Sequence, residues 1–398
     1  MRTKPELPEA QAGAGTAAMA ARVTIPLVPL LQTRERLPLL QTSRAFEQLA
    51  GRFSKVALRE PPTDDAARWH EHTLGAQRLR FAQPLTFTPY ASARPCSARC
   101  RFCSETLVDE TAEGALAAAL RPDPGYFAAL RRALGALRGV PLSYSLSGLE
   151  STDDPAWLLG VLDTLRAARA DGPLVSGTVM YSNGAGFVDH AARLLPALES
   201  FGLSWLEWSR HHDHAEANQQ IMRFRPGQRI AQQATFEAAV RAAVQRFPVK
   251  LVCVVQRGGI VTPVDVFRYV DWAHGLGVDT VIFREFSELP AHYRHNATRR
   301  YIDGARVTID DLLLGCIDDK RFLERYTPLA LTGGYYFWNA RWARDDGREV
   351  VFERSDYGTM LEHEARGLIY KLVFHANGHL CSGWQPERGV LWRSDDSQ

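Results

Sequence analysis

The chain has 398 residues, 45% of them hydrophobic, which is enough to bury the core of one large domain or of two smaller ones. Its formal net charge is only +2, and this excludes a general electrostatic attraction to nucleic acid or to an anionic membrane. No apolar run reaches the length of a membrane span, so we expect a cytoplasmic protein.

Four regions follow one another along the chain. Residues 1–21 are rich in Ala and Gly and are expected to form a disordered tail, and residues 22–82 are predicted to cap the domain that follows. Residues 83–300 alternate short apolar segments with longer amphipathic ones, which predicts repeated βα units and a parallel sheet. Residues 301–398 are rich in aromatic side chains and are predicted to form a C-terminal extension.

Six strands are predicted in the βα region, and each is followed by a polar cluster. They span residues 85–90, 142–146, 174–181, 203–208, 249–255 and 280–283. Helices are predicted over residues 125–137 and 154–168, the second opened by Asp154-Pro155. Parallel βα folds build their sites from the loops at the carboxyl ends of the strands, so we expect the functional site at that edge.

The loop after the first strand carries Cys96, Cys100 and Cys103, a C-x3-C-x2-C spacing with Phe102 directly before the last cysteine. Three thiolates this close in sequence can hold one face of an iron–sulfur cube and leave the fourth iron open to another ligand. A zinc site usually needs four protein ligands in paired knuckles, and no second pair lies nearby. A disulfide framework fits a long chain with six cysteines less well still.

This motif resembles that of the radical S-adenosylmethionine (radical SAM) superfamily. The resemblance implies a single 4Fe–4S cluster bound by Cys96, Cys100 and Cys103, with S-adenosylmethionine on the open iron and Phe102 beside its adenine. It implies an α/β fold, a partial (β/α)6 TIM-like barrel that the small α+β extension closes. It also implies that one electron, from a donor such as flavodoxin or ferredoxin, cleaves the cofactor to a 5′-deoxyadenosyl radical.

The turn after the second strand matches a family motif that holds the amino group of the cofactor. Gly148 and Glu150 stand where the family commonly has a Gly-Gly-Glu-like sequence, with Leu149 in place of the second glycine. Gly148 permits an unusual backbone angle, and Glu150 offers an acceptor to an ammonium group. An ordinary βα turn is the structural alternative for the same residues.

Two later strand ends supply further cofactor candidates. The resemblance implies that Ser209 and an arginine hold the ribose and carboxylate of the cofactor, and Arg210, Arg223 and Arg225 are open alternatives for that arginine. We assign Arg223 and Gln256 to the cofactor, with Gln256 facing either its ribose or the substrate.

The other polar residues at strand ends are assigned to the substrate. They are Arg210, His211, Arg284 and Glu285. If they line the barrel, they suit a polar small molecule such as a sugar, a nucleoside or an amino-acid derivative.

Cys253 and Cys381 are candidate hydrogen-atom donors to a substrate radical, a role that the resemblance implies for some members. Strand alternation predicts that Cys253 points into the barrel. Simple burial is the alternative for both, since free cysteine packs as a small hydrophobe. In the extension, residues 349–353 and 368–374 are predicted to be strands of a small antiparallel unit, with a turn at Asn377-Gly378.

We therefore expect an enzyme that abstracts a hydrogen atom from a polar small molecule, with epimerisation, elimination, decarboxylation or oxidation as the outcome. The Ala- and Arg-rich composition is typical of a high-GC bacterium, where relatives tailor natural products, including antibiotics. Modification of a ribosomal peptide is the alternative within the superfamily, although no segment resembles a peptide-binding winged helix. A zinc- or cluster-binding protein without catalysis is the alternative from another class.

Overall fold

The computed structural model describes residues 27–29, 42–53, 55–58, 66–107, 117–289, 293–334, 336–359 and 368–394. The tail predicted for residues 1–21 lies outside them. The strands, β1 to β15 in chain order, are Leu27–Pro29, Lys55–Leu58, Trp69–Leu74, Gln77–Tyr90, Pro141–Leu146, Leu174–Ser182, Trp205–Ser209, Val249–Val254, Thr280–Arg284, Thr327–Gly333, Phe337–Ala343, Glu349–Ser355, Ile369–His375, His379–Cys381 and Val390–Arg393. The α-helices of the described residues, α1 to α10, are Phe46–Arg52, Tyr126–Ala136, Pro155–Ala167, Ala185–Phe201, Ala215–Met222, Gln233–Val244, Pro263–Gly275, Ala297–Ala305, Ile309–Asp318 and Lys320–Arg325.

Strands β4 to β9 form the centre of the fold. Each pairs in parallel with the next along the chain, and at least one helix connects each pair. Because such crossovers are right-handed, an unbroken strand order places all the connecting helices on one face of the sheet. Among the described residues β4 and β9 do not pair with each other. The predicted partial (β/α)6 barrel is therefore confirmed.

The predicted strands and helices of this region are confirmed to within about two residues, except that β4 begins earlier, at Gln77. Local chemistry explains one clear boundary. The Asp154 side chain accepts a hydrogen bond from the backbone N–H of Trp157 at 3.0 Å, and Pro155 occupies the first turn of α3. An N-cap carboxylate followed by proline fixes the start of a helix.

The two faces of the barrel strands differ in what they pack against. On β8, Leu251 and Cys253 are fully buried in the main core between sheet and helices. On the other face Val252 packs with Ile282 and Val351 in a small separate cluster. This second face is the lumen of the partial barrel, and the residues that alternate with the core positions line it.

The C-terminal extension continues the barrel sheet at both of its edges. Strand β12 pairs in parallel with β9, and β13 pairs in parallel with β4. The prediction that residues 349–353 and 368–374 form one small antiparallel unit is therefore wrong, because β12 pairs antiparallel with β11 and β13 with β14 instead. Each edge of the barrel offered unpaired backbone groups, and a parallel strand from the extension satisfies them.

None of the helices in the described part of the chain combines the length and the apolar character needed to cross a lipid bilayer.

Candidate active site

The cysteine loop leaves the carboxyl end of β4 and is fixed by the segment that ends α5. The backbone N–H of Arg101 donates to the carbonyl of Ile221 at 3.0 Å, and that of Arg225 donates to the carbonyl of Ser97 at 2.9 Å. A short antiparallel bridge thus joins the loop to a segment far along the chain. The three cysteines sit on a loop with a defined backbone.

Cys96, Cys100 and Cys103 are half-buried free cysteines, and their thiols are near enough to raise one another's pKa. Burial raises the pKa of Cys96 to about 12 and that of Cys103 to about 11, with nearby carboxylates adding to the effect. Burial also raises the pKa of Cys100, and charge on the other two thiols raises it further. Three such thiols become thiolates together only beside a strong cation, as in a metal centre.

Two N–H groups point at the sulfur of Cys96. The backbone N–H of Ala98 lies 3.5 Å from it, and the side-chain amide of Asn183 lies 3.7 Å from it and 3.0 Å from the hydroxyl of Ser97. Hydrogen bonds to cysteine sulfur tune iron–sulfur clusters. Asn183 follows the third barrel strand, in the run Ser182-Asn183-Gly184, yet sequence reasoning did not assign it a role.

Among the described residues, no group of three or more His, Cys, Asp or Glu is arranged to hold a single metal ion.

Phe102 is packed between two aromatic rings at the mouth of the barrel. The ring of His211 meets it edge-on at 4.9 Å between centroids, and Phe286 lies 5.6 Å away. Burial and two nearby guanidinium groups lower the pKa of His211 to about 3, and its Nδ1 accepts the backbone N–H of Val254 at 3.0 Å. His211 is therefore a neutral imidazole that supports Phe102.

Glu150 is a buried acceptor that joins the ends of two barrel strands. Its carboxylate accepts hydrogen bonds from the backbone N–H of Thr152 at 3.1 Å, the hydroxyl of Ser182 at 2.8 Å and the backbone N–H of Asn183 at 2.5 Å. Burial, followed by the charge of Asp153, raises the pKa of Glu150 to about 7. These contacts suit the turn itself, and the assignment of Glu150 to the cofactor stays a prediction.

The raised pKa makes Glu150 a source of pH-dependent stability. The folded chain binds more protons here than the unfolded chain between the ordinary value of 4.5 and about 7, so ionisation destabilises the fold as the pH rises through this window. The difference in free energy of unfolding between Glu150→Gln and wild type should grow in favour of the variant as the pH rises. The expected change between about pH 5 and about pH 8 is up to about 3 kcal/mol. Urea unfolding across this range tests it, with Glu216→Gln, exposed on α5, as the control. Curves for wild type and Glu150→Gln that stay parallel would contradict the prediction.

Gly148 permits a close approach between the turn after β5 and the buried ring of Tyr90. Its φ is +106°, a region that favours glycine, and a Cβ there would lie 2.1 Å from two carbons of the Tyr90 ring. The Tyr90 ring is itself held, because its hydroxyl donates to Glu105 and the ring makes a T-shaped contact with Trp384, 5.6 Å between centroids. Gly148 therefore has a structural role, and its assignment to the cofactor stays a prediction.

A matched pair of substitutions isolates this close approach. Gly202 also has a positive φ, +84°, but nothing lies within 4 Å of its Cβ position. Both Gly148→Ala and Gly202→Ala strain the backbone, and only the first also overpacks a core. We expect Gly148→Ala to cost about 1–3 kcal/mol more in chemical unfolding than Gly202→Ala. Equal losses would show that Tyr90 moves aside freely.

A charged network lies on the lumen face of the barrel, centred on Arg284. Its guanidinium donates to Glu353 at 2.6 Å and to Glu207 at 3.3 Å. Burial lowers the pKa of Arg284, but the two carboxylates raise it by more than burial lowers it. The guanidinium therefore stays charged. Beside them the ammonium of Lys250 lies 4.1 Å from the ring centroid of Trp205. Sequence reasoning assigned only Arg284, although charged residues inside buried strands were the available signal.

Two residues assigned to the substrate face away from the lumen. Arg210 is fully buried, lies 4.5 Å over the ring of Phe236 and donates to Gln233 at 2.7 Å, both on α6. Glu285 accepts the backbone N–H of Ile309 at 2.9 Å at the start of α9. Their assignment to a lumen site is wrong, because each follows a lumen-facing residue and alternation turns it towards the helices.

The three remaining cofactor candidates lie near the cysteine loop or the barrel mouth. Ser209 is half-buried at the end of β7. Arg223 is exposed, adopts a left-handed φ of 52° and accepts the backbone N–H of Arg99 through its carbonyl. Gln256 is fully buried, and its side-chain oxygen accepts the hydroxyl of Tyr301 at 2.6 Å. Their roles towards the cofactor stay predictions.

The two candidate hydrogen donors are fully buried thiols. Cys253 lies in the main core, on the face opposite Val252, so the prediction that it points into the barrel is wrong. Its S–H faces the carbonyl of His211 at 3.6 Å. Cys381 is on β14, and its S–H faces the carbonyl of Pro386 at 3.6 Å. Burial raises the pKa of Cys381 to about 12.

Comparison with known proteins gives matches among solved structures alone. No family model and no curated protein matches the chain. The structure of anSMEcpe with bound AdoMet is 13% identical, with a TM-score of 0.38 over 50% of this chain and 51% of that one. Streptococcus suis SuiB bound to precursor peptide SuiA is 14% identical, with a TM-score of 0.44 over 75% of this chain and 59% of that one. TYW1 with a lysine-pyruvate adduct is 14% identical, with a TM-score of 0.36 over 70% of this chain and 81% of that one.

The match thus spans about half of anSMEcpe and three fifths of SuiB. SuiB has also been solved bound to S-adenosylmethionine, and that structure gives a TM-score of 0.42. Identities of 13–14% and TM-scores below 0.5 assign neither a family nor an activity to this chain. Both are proposed from the chain's own residues.

Proposed function

We propose that this protein is a radical SAM enzyme. The observation that carries the proposal is that Cys96, Cys100 and Cys103 lie on one short loop at the carboxyl end of the first barrel strand. These are soft ligands at the edge of the sheet where βα barrels build their active sites. A 4Fe–4S cluster with one open iron would suit them, and S-adenosylmethionine would be the ligand of that iron.

The residues around the loop suit such a group. Asn183 and the backbone of Ala98 offer N–H donors to the sulfur of Cys96, which a thiolate cluster accepts. When bound, the cluster and S-adenosylmethionine would supply a 5′-deoxyadenosyl radical on one-electron reduction. The chain's contribution is to hold the three thiolates, to orient the cofactor beside Phe102 and to keep water from the reacting carbon.

The lumen charges support a polar substrate. Arg284 lies between Glu207 and Glu353, and about a quarter of its side chain remains exposed. A substrate with a carboxylate or an amino group would find complementary charge there, at the mouth side of the small apolar cluster of β8, β9 and β12. We infer a polar small molecule, whose radical leads to epimerisation, elimination, decarboxylation or oxidation in bacterial natural-product biosynthesis.

A ribosomal peptide is the second candidate substrate. Among the described residues β3 pairs only with β4, so one side of β3 offers unpaired backbone groups to an added strand. SuiB, one of the similar structures, holds a precursor peptide. Peptide addition along β3 would be distinguished from small-molecule binding by Thr73→Pro, which should lower the activity on a peptide and leave the activity on a small molecule unchanged.

The proposed function is tested on protein purified without oxygen. Iron and sulfide analysis should find about four of each per chain, and dithionite with S-adenosylmethionine should yield 5′-deoxyadenosine. Zinc in place of iron would favour the metal-binding protein without catalysis. An intact cluster without cleavage of S-adenosylmethionine would overturn the proposal of an enzyme.

A further inference from the structure

Two segments at the candidate site concentrate positive charge. Residues 91–104, the cysteine loop, and residues 217–236 contain no Asp or Glu. Together they carry six arginines, which are Arg94, Arg99, Arg101, Arg223, Arg225 and Arg229. The whole chain has a net charge of only +2, so these segments carry a local excess that the total conceals.

The structure joins the two segments into one surface, which we call the arginine ridge. The backbone N–H of Arg99 donates to the carbonyls of Met222 and Arg223, and a bridge pairs Ala98 with Phe224. All six arginines except the half-buried Arg225 are exposed. The ridge therefore presents five exposed arginines on two joined segments, one of which holds the three cysteines.

Carboxylates neutralise only part of this surface. Arg94 pairs with Asp154 at 3.3 Å, and Arg229 pairs with Asp189. The charges of Arg94 and Arg225 also act on Asp153, which accepts the backbone N–H of Ser97 at 2.6 Å. Arg101 stacks on the ring of Tyr301, 4.0 Å from its centroid. Within the described ranges, the structure gives Arg99 no carboxylate within ion-pair distance. Exposed pairs of this kind are weak and screened, so the ridge keeps a positive potential.

We propose that the arginine ridge is the docking surface for an acidic one-electron carrier protein. The inference rests on the proposed function, in which one electron must reach the site from outside the chain. In this step the reduced carrier loses one electron and the group held by the cysteines gains it, while no bond forms and no proton moves. A carrier that docks on the ridge would lie directly over the loop that holds the acceptor.

The ridge fits a protein better than a nucleic acid. Its three aromatic residues are unavailable for stacking on bases, because Phe102 is packed between His211 and Phe286, and Phe224 and Phe236 are only 5% and 1% exposed. Single-stranded nucleic acids are usually held by exposed aromatic rings beside the basic groups. A patch of arginines alone steers and orients an acidic partner.

Charge reversal on the holoenzyme tests the proposal, with a bacterial flavodoxin as the carrier. Arg99→Glu/Arg101→Glu should weaken flavodoxin binding at least about tenfold at about 50 mM salt, measured by calorimetry, and should slow flavodoxin-driven formation of 5′-deoxyadenosine by a similar factor. Formation driven by dithionite, compared per iron bound, should fall far less than formation driven by flavodoxin. The control Arg52→Glu/Arg193→Glu changes the net charge equally at exposed positions on α1 and α4 and should leave both measurements near wild type.

The outcomes separate the docking surface from the activity. Dithionite-driven cleavage absent from wild type would overturn the proposed function, whereas full flavodoxin binding by the ridge variant would overturn the docking surface alone. If the double reversal loses its cluster, Arg99→Gln/Arg101→Gln is measured instead. Wild-type binding that does not weaken between about 50 and about 500 mM salt would also refute the docking surface. Tight RNA binding that the ridge variant loses, with flavodoxin-driven turnover intact, would assign the ridge to nucleic acid.

Discussion

Replacing any one of Cys96, Cys100 and Cys103 by alanine is expected to remove most of the bound iron and to lower the formation of 5′-deoxyadenosine by at least about 100-fold. Changes in the shell around a metal ligand already cost about 10- to 100-fold, and the loss of a ligand itself must cost more. With only two thiolates left, a second iron of the cluster has no protein ligand. The measurement is iron per chain, visible absorption and cofactor cleavage under dithionite.

The chain offers a matched control for these variants in Cys316, a fully buried thiol in α9. Cys316→Ala removes a sulfur of the same kind from the core and should keep the iron content of the wild type. Cys253→Ala and Cys381→Ala should do the same, and each also tests the hydrogen-donor hypothesis by product formation with cofactor cleavage retained. Equal iron in Cys96→Ala and in Cys316→Ala would remove the basis of the cluster assignment.

Arg284→Gln is expected to destabilise the fold by about 3 kcal/mol. The substitution removes the cation between Glu207 and Glu353, whose side chains are 8% and 19% exposed, and leaves two carboxylates facing each other. Removing one partner of a buried ion pair costs about 3–5 kcal/mol, and the partial exposure of Arg284 places this case at the lower end. Chemical unfolding of wild type and variant measures the loss.

A double-mutant cycle separates the lost ion pair from lost packing. Glu353→Gln removes one of the two stranded carboxylates, so Arg284→Gln/Glu353→Gln should recover at least about 1 kcal/mol relative to the sum of the single losses. Arg284→Lys keeps the charge without the two-pronged geometry and should fall between wild type and Arg284→Gln. Strictly additive losses would show that the lumen charges do not interact.

The order of strands and helices was open to prediction because it depends on local pattern. Alternating apolar segments placed β5, β8 and β9 correctly, and Asp154-Pro155 marked the start of α3. The cysteine motif needed only sequence spacing. Such features depend on neighbours within a few residues, and the sequence contains them directly.

The face of the sheet to which each site residue points was harder to predict, because successive residues of a strand point to opposite faces. Arg284 lines the lumen, while Glu285 turns to α9 and Arg210 to α6. A shift of one residue exchanges the two faces, which is why Cys253 was placed in the lumen. Val252 faces the lumen, so strict alternation along the strand places Cys253 on the opposite face.

Contacts between distant segments left no local signal. Asn183 reaches the cysteine loop from the end of β6, and Glu353 reaches Arg284 from β12. Neither pairing follows from propensity or periodicity, since each depends on which strands become neighbours. The same is true of β12 and β13, whose partners lie far back in the chain.

Those two strands have a consequence for how the protein is made. Both edges of the barrel, β4 and β9, acquire their outer partners only when β12 and β13 have left the ribosome, because these strands come later in the chain. Until then the nascent barrel exposes two rows of unpaired backbone groups, which is the surface by which strands of different chains associate. A chain truncated after β9 should therefore accumulate as insoluble protein, and expression will depend on keeping nascent chains apart until synthesis has passed β13.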